Sequence, residues 1–340
     1  MIMAADNNSE NGNDNDHDND HAHDDANENG NNQVPDNKAA TRCGFIALIG
    51  APNAGKSTLL NAFVGSKVAI VTHKVQTTRV PLRGIALEGA SQLIFVDTPG
   101  IFEPKRRLDR AMVESAWGGA GDADIQVLMI DAMRGIDDEV EIILKGLAKN
   151  QIKPAQVLLA LNKVDAVEKE TLLNLTQTLN ERFKFAETFM ISALKGTGLK
   201  ELREYLAANV LPGPWLYPED QITDAPLRMA AGEITREKLY LRLHQELPYA
   251  STVETQDWKE LKDGSVRIEQ VIYVERQSQR QIVLGKGGRA IKQISMEARK
   301  EIEEVLEQKV HLFLFVKVRE KWGNDPERYR MIGLEYPEGD

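Results

Sequence analysis

With 340 residues, 42% of them apolar and 28% charged, the chain is expected to form about two ordinary globular domains. Its net charge of −10 would exclude a polyanionic partner if it were evenly spread, but residues 1–38 hold 10 acids and one base, leaving 41 bases against 42 acids in residues 39–340. One cysteine, Cys43, excludes an intrachain disulfide framework and fits a reducing compartment, and no apolar run approaches the roughly 20 residues that span a bilayer.

In chain order, residues 1–40 read as a disordered acidic tail. The stretch Asn7 to Asn37 is mostly Asn, Asp and His, with almost nothing to bury. It lacks the basic start and apolar core of a signal peptide, and its acids are foreign to a transit peptide. A solvated tail is the plain reading, and loose metal chelation by His17, His21 and His23 is the alternative.

Residues 41–211 alternate strand and helix. Strands are expected at Cys43–Ile49, Leu82–Leu87, Gln92–Val96, Ile125–Ile130, 155–161 and Thr188–Ile191. Helices are expected at Lys56–Val64, 137–149, 171–184 and 198–209. Such alternation implies a mixed, mostly parallel sheet with helices on both faces, and Glu88-Gly89-Ala90-Ser91 adds one hairpin. The Pro-rich stretch 212–226 reads as a linker. Residues 227–325 then follow a different order: helix 232–246, strand 250–258, a turn at Asp263-Gly264, strand 265–275, a short helix, a Gly turn, helix 288–308 and strand 311–318. This second domain is small and α+β, with 326–340 as a carboxyl-terminal tail.

Three motifs sit at strand ends. Gly50-Ala51-Pro52-Asn53-Ala54-Gly55-Lys56-Ser57, followed by Thr58, has the P-loop spacing between a strand and a helix. Its glycines let backbone N–H groups converge on phosphates at a positive helix end, Lys56 neutralises the β- and γ-phosphates, and Ser57 is placed to bind Mg²⁺. Asn162-Lys163-Val164-Asp165 ends the fifth strand, at the edge where open α/β sheets bind ligands. A carboxylate there accepts from the N1–H and 2-amino groups of guanine, whereas adenine has no such donor pair and would strand it. Asp97-Thr98-Pro99-Gly100 ends another strand, where Asp97 can hold Mg²⁺ through water and the Gly100 N–H can meet the γ-phosphate. Ser192-Ala193 precedes the last helix of this half and offers backbone to the base.

This spaced set resembles the TRAFAC class of small GTPases, and Gln76-Thr77-Thr78-Arg79 is similar to the switch I of the Era family. The resemblance implies a P-loop G domain that turns over GTP to GDP, with Lys56, Thr78 and Gly100 as its catalytic set. It implies Mg²⁺ on Ser57, Asp97 and one switch threonine, Thr78 in preference to Thr77. Ile101 stands where Ras-type enzymes place a water-orienting Gln, so slow intrinsic turnover is expected. Asn53 resembles the residue that coordinates K⁺ in related GTPases, with plain bracing of the loop as the other reading.

In the second domain, Gly285-Lys286-Gly287-Gly288 lies between two helices, as in the type II KH fold, whose loop clamps about four nucleotides of single-stranded nucleic acid. Residues 276–300 carry seven bases, among them Arg280, Lys286, Arg289 and Lys292, against one acid, Glu297. Ile282, Leu284, Ile291 and Ile294 either line the groove or fill the core, and Trp215, Trp258 and Trp322 read as packing residues.

A G domain followed by a type II KH domain is the Era architecture, over about 300 residues. The resemblance implies a monomeric cytoplasmic GTPase that binds the 3′ region of small-subunit ribosomal RNA and assists 30S assembly, with some peripheral association with the cell membrane. The competing reading is an RNA-binding structural protein whose nucleotide site mainly stabilises the fold.

Overall fold

The computed structural model describes residues 40–337, apart from residues 73, 75, 76, 151, 154, 155, 244–246 and 332. The acidic tail with its three histidines, Gln76 of the switch motif and the first residue of the 155–161 strand lie outside the described residues.

The first half is the expected α/β layer structure. Strands β1 (Arg42–Gly50), β2 (Leu82–Glu88), β3 (Ser91–Asp97), β4 (Ile125–Asp131), β5 (Val157–Asn162) and β6 (Glu187–Met190) form a sheet of order β2-β3-β1-β4-β5-β6. All neighbours are parallel except the β2–β3 hairpin. The middle strands are buried along their whole length, with polar residues chiefly at their ends, because helices cover both faces. Helices α1 (Lys56–Val64) and α5 (Leu199–Asn209) cover one face; α2 (Arg107–Gly121), α3 (Asp138–Lys149) and α4 (Lys169–Arg182) cover the other. Order β1 between β3 and β4 makes the carboxyl ends of β1, β3 and β5 converge, which is what gathers the three motifs.

Two expectations need correction here. Residues 107–121, where no element is expected from the sequence, form the helix α2, whose Ala111, Met112, Ala116 and Ala120 are buried at helical spacing. Gly118, Gly119 and Gly121 mask it in the sequence by lowering helix propensity. The stretch 212–226 is no free tether, since the Ile85 N–H bonds the Ile222 carbonyl, Trp215 Nε1 bonds the Ala90 carbonyl, and Gln92 holds the backbone of Leu216 and Tyr217.

The second half runs α6 (Leu227–Arg242), β7 (Ser251–Glu260), β8 (Val266–Val274), α7 (Gln277–Leu284), α8 (Arg289–Leu306) and β9 (Val310–Val318), with sheet order β7-β8-β9 and β8 parallel to β9. That is the type II KH order. Helix α6 starts five residues earlier than expected, behind Pro226, which presets the first turn. Ile294 is fully buried, whereas Ile282 is 57% exposed, so the two divide between core and surface. Residues 326–337 are not a loose tail: α9 (Pro326–Met331) places Tyr329, followed by Leu334, against Ala111 and Met112 of α2.

Candidate functional site: a nucleotide cleft joined to a KH domain

A cleft of about 880 Å³ opens at the carboxyl ends of β1, β3 and β5 and is lined by residues of each nucleotide motif and by Thr77 and Thr78. Gly50 and Gly55 both have positive φ. A Cβ on Gly50 would strike the Met129 carbonyl, and one on Gly55 the Asn162 amide, so only glycine permits the loop's close turn. Asn53 is held at φ 65° on the exposed lip.

Lys56 is buried, and its ammonium donates to the Gly50 and Ala51 carbonyls at 3.0 Å each. Burial drives its pKa down to about 8, against the opposing pull of Asp97 and Glu139. A buried cation whose hydrogen bonds go to carbonyls favours an arriving polyanion, because phosphate oxygens compensate the charge better than amide dipoles do.

The three oxygens assigned to Mg²⁺ converge. Ser57 Oγ lies 2.6 Å from Asp97 Oδ2 and 2.9 Å from Thr78 Oγ1, and Thr78 Oγ1 lies 2.9 Å from Asp97 Oδ2. Thr78, not Thr77, is the threonine brought there. Asp97 is fully buried, and burial pushes its pKa up against the pull of Lys56, Ser57 and Thr78. Its Oδ1 has no hydrogen-bond partner. Two hydroxyls and a buried carboxylate, one of whose oxygens is unpartnered, are the hard-donor set that suits Mg²⁺.

Thr98 bonds the Leu48 carbonyl at 2.7 Å, and Pro99 and Gly100 are packed so closely that a Cβ on Gly100 would meet Pro52 at 2.8 Å. Ile101 points into the core under α2 rather than at the cleft, and its N–H is taken by the Gly50 carbonyl at 3.1 Å. It therefore offers nothing to orient a water.

On the base side, Asn162 is buried and ties the loops together: its Nδ2 donates to the Ala54 carbonyl at 2.8 Å, and its Oδ1 accepts from the Ala193 N–H at 2.9 Å. Lys163 has positive φ and reaches Asp131 at 2.6 Å. Val164–Ala166 form a 3-10 turn that leaves Asp165 exposed on the cleft wall, and Ser192 Oγ accepts from the Lys195 N–H to shape the opposite wall. Arg134 and Asp131 line the cleft without belonging to a motif, Arg134 being held by Asp137 and Glu139. Only the sheet order brings β4 to this edge, so no local pattern announced them.

The switch segment also reaches the second domain. The Val71 N–H donates to Glu237 of α6 at 3.1 Å, Lys67 pairs with Glu237 and Glu301, Lys74 Nζ donates to the Leu243 carbonyl at 2.6 Å, and Arg236 donates to the Thr77 carbonyl. Arg79, 7% exposed, enters the second domain beside Tyr240 and Trp322.

In the KH half, Gly285, Gly287 and Gly288 all have positive φ, and Lys286, Gly287 and Arg289 are exposed. Lys292 lies one turn along α8, also exposed. Arg280 is partly committed, its Nε donating to the Val316 carbonyl at 3.1 Å. Glu297, the one acid in the basic stretch, is bound by Arg242 of α6, which holds its carboxyl below the usual range. The basic face therefore loses little of its field.

A P-loop cleft with three converging oxygen donors and an exposed carboxylate on its wall, joined to a basic G-x-x-G loop, defines a GTPase that carries a KH RNA-binding domain. Family comparison agrees: residues 45–163 match the model for 50S ribosome-binding GTPases and residues 246–323 the KH domain. The chain is 65% identical over 297 residues to the GTPase Era of Brucella suis and 64% to that of Rhizobium meliloti, covering 87% of this chain and 94% of each relative. A solved Era structure, in complex with MgGDPNP and nucleotides 1506–1542 of 16S ribosomal RNA, superposes with a TM-score of 0.82 at 37% identity, covering 86% of this chain and 99% of that one. The Aquifex aeolicus Era, a variant bound to GDP and AlF4⁻, gives 0.81 with the same identity and coverage. The chain belongs to the Era family of GTPases.

Proposed function

We propose that this GTPase is a nucleotide-controlled clamp for the 3′ region of small-subunit ribosomal RNA that assists 30S subunit assembly. The observation that carries it is the position of Thr78, whose hydroxyl meets Ser57 and Asp97 while its chain neighbours contact the second domain. The solved relative with MgGDPNP and 16S RNA bound together supports the choice of RNA.

Ser57, Thr78 and Asp97 would hold the Mg²⁺, which when bound neutralises negative charge on the phosphates. Lys56 supplies the second positive charge there, and the Gly100 N–H faces the γ-phosphate. Asp165 selects guanine, with Asn162 holding the loops from Gly50–Thr58 and Ser192–Ala193 around the base and Lys163 over it. GTP orders the switch segment at Thr77, Thr78 and Arg79 and residues 98–106; hydrolysis, slow because Ile101 cannot orient water, releases them. K⁺ at Asn53 accelerates the reaction, so turnover in KCl exceeds that in NaCl; equal rates would remove that role. On the RNA side, the loop Gly285–Gly288 and Arg280, Arg289 and Lys292 grip the backbone. The protein acts as a cytoplasmic monomer, with family likeness alone behind a peripheral association with the membrane. Among the described residues no helix is long and apolar enough to cross one.

Crosslinking to total RNA with a GTP analogue or GDP, followed by sequencing, tests the reading. Enrichment of the 3′ end of small-subunit RNA in the GTP-analogue sample is expected. Equal, dispersed crosslinks in both states would favour a nucleotide site that only stabilises the fold.

A further inference from the structure

Thr77, Thr78 and Arg79 are consecutive, and they end in different parts of the molecule. The Thr77 carbonyl accepts from Arg236 of α6, and the Thr78 hydroxyl sits on Ser57 and Asp97 in the nucleotide cleft. Arg79 crosses the domain boundary: its Nη1 donates to the Ser251 carbonyl at 3.0 Å, and its Nη2 donates to the Tyr240 hydroxyl at 2.9 Å and reaches the Pro248 carbonyl at 3.4 Å. The guanidinium also lies 5.9 Å from the Tyr240 ring centre and 5.6 Å from that of Trp322. Trp322 is fixed in turn by its Nε1 bond to the Ala250 carbonyl at 3.0 Å.

We infer that Arg79 is the positioning residue that couples the two sites: it holds Thr78 at the nucleotide cleft when seated against Tyr240, and it leaves that seat when Thr78 is released. Adjacent Cα atoms are about 3.8 Å apart, so Thr78 cannot move farther than a bond length or two without drawing Arg79 with it. The seat is also suited to letting go. All Arg79 partners are neutral oxygens or rings, its Nε has none, and Arg236 shares the same ring at 5.1 Å. A buried cation with no carboxylate in hydrogen-bond contact is weakly compensated, even though Glu233, which pairs with Arg236, offsets part of the repulsion between the two arginines. The contact that Thr78 would make to Mg²⁺ when GTP is bound tips the balance towards the seated state, and its loss tips it back.

The inference rests on the nucleotide-controlled reading above, and one experiment separates the two. Affinity for a labelled RNA spanning nucleotides 1506–1542 of 16S ribosomal RNA is measured by anisotropy in MgGDPNP and in MgGDP, for wild type, Arg79→Ala, Arg79→Lys and Tyr240→Phe. Wild type is expected to show a ratio of about fivefold or more between the two states. Arg79→Ala brings the ratio to within twofold of unity while GDP-state RNA affinity stays near wild type. Arg79→Lys fails to restore the ratio, because a point ammonium cannot span the two carbonyls and the hydroxyl. Tyr240→Phe removes only the 2.9 Å hydroxyl bond, lowers the ratio partway, and serves if Arg79→Ala does not fold. A merely structural arginine would lower both affinities together and leave the ratio intact. Retention of the wild-type ratio in Arg79→Ala and Tyr240→Phe overturns the inference and spares the switch; a ratio of one in wild type removes both.

Discussion

Replacing Asn162 by alanine tests how the nucleotide cleft is held together. The amide joins loops that lie 108 residues before it and 31 residues after it, through the 2.8 Å bond to the Ala54 carbonyl and the 2.9 Å bond from the Ala193 N–H. Each such bond contributes about 1 kcal/mol net, and stranding a buried donor such as the Ala193 N–H costs about 1–3 kcal/mol more. The loss is about 3–5 kcal/mol, falling to about 2 kcal/mol if water from the cleft reaches the gap. Gly55 packs directly on this amide, so the truncation also leaves the P-loop turn without its neighbour. Because the lost order must be restored on binding, a 2 kcal/mol share corresponds to GDP affinity weakened about 30-fold. Isothermal titration with GDP is the direct assay, with Asn162→Asp as the companion because it keeps the acceptor for Ala193 and removes the donor to Ala54. An Asn162→Ala affinity within threefold of wild type would mean that the loops hold their form unaided.

Four further outcomes follow from the same geometry. Lys56→Met should weaken GDP binding about 10- to 100-fold, the worth of a charge-assisted contact, and abolish hydrolysis. It should change the thermal stability of the nucleotide-free protein little, because desolvation of the buried ammonium outweighs its two carbonyl bonds and its attraction to Asp97 and Glu139. Asp165→Asn should exchange guanine for xanthine preference in competition binding, since the amide offers a donor where xanthine has a second carbonyl; unchanged guanine preference would remove Asp165 from the base site. Lys286→Asp with Gly287→Asp should lower RNA affinity at least about tenfold at 0.1 M salt while GDP binding is unchanged, because both positions are exposed and no atom lies within 4 Å of a Cβ on Gly287.

The fourth concerns Glu237. Burial alone would raise its pKa, but hydrogen bonds from Lys67, Lys238 and the Val71 N–H hold it below the ordinary 4.5. Its folded form therefore binds its proton more weakly than the unfolded form, so the stabilisation is complete well above pH 4.5 and fades as pH falls through the folded value. Glu237→Gln should be less stable than wild type at pH 7 in denaturant titrations, and the gap should close in acid. A gap that persists unchanged at pH 3.5 would assign it to packing instead.

Much of this was legible in the sequence because the chemistry sits at strand ends. Gly50–Ser57, Asp97–Gly100 and Asn162–Asp165 carry their meaning in local spacing, and the alternating pattern places each on the same sheet edge. What spacing could not reveal was long-range. Helix α2 hid behind three glycines, and 326–337 looked like a tail because Tyr329 and Leu334 find their partners on a helix some 220 residues earlier. Arg79 read as the end of a polar motif, since its partners Tyr240 and Ser251 are 161 and 172 residues away. Thr78 could be preferred over Thr77 only by resemblance until the backbone turned its hydroxyl towards Asp97.

The central claim, that nucleotide controls the grip on RNA, comes down to one comparison in the wild-type protein. Anisotropy of the 16S fragment is followed at fixed Mg²⁺ and salt with GDPNP and then with GDP, each at saturation. The account predicts tighter binding in the GDPNP state by about fivefold or more, and affinities that coincide would contradict it.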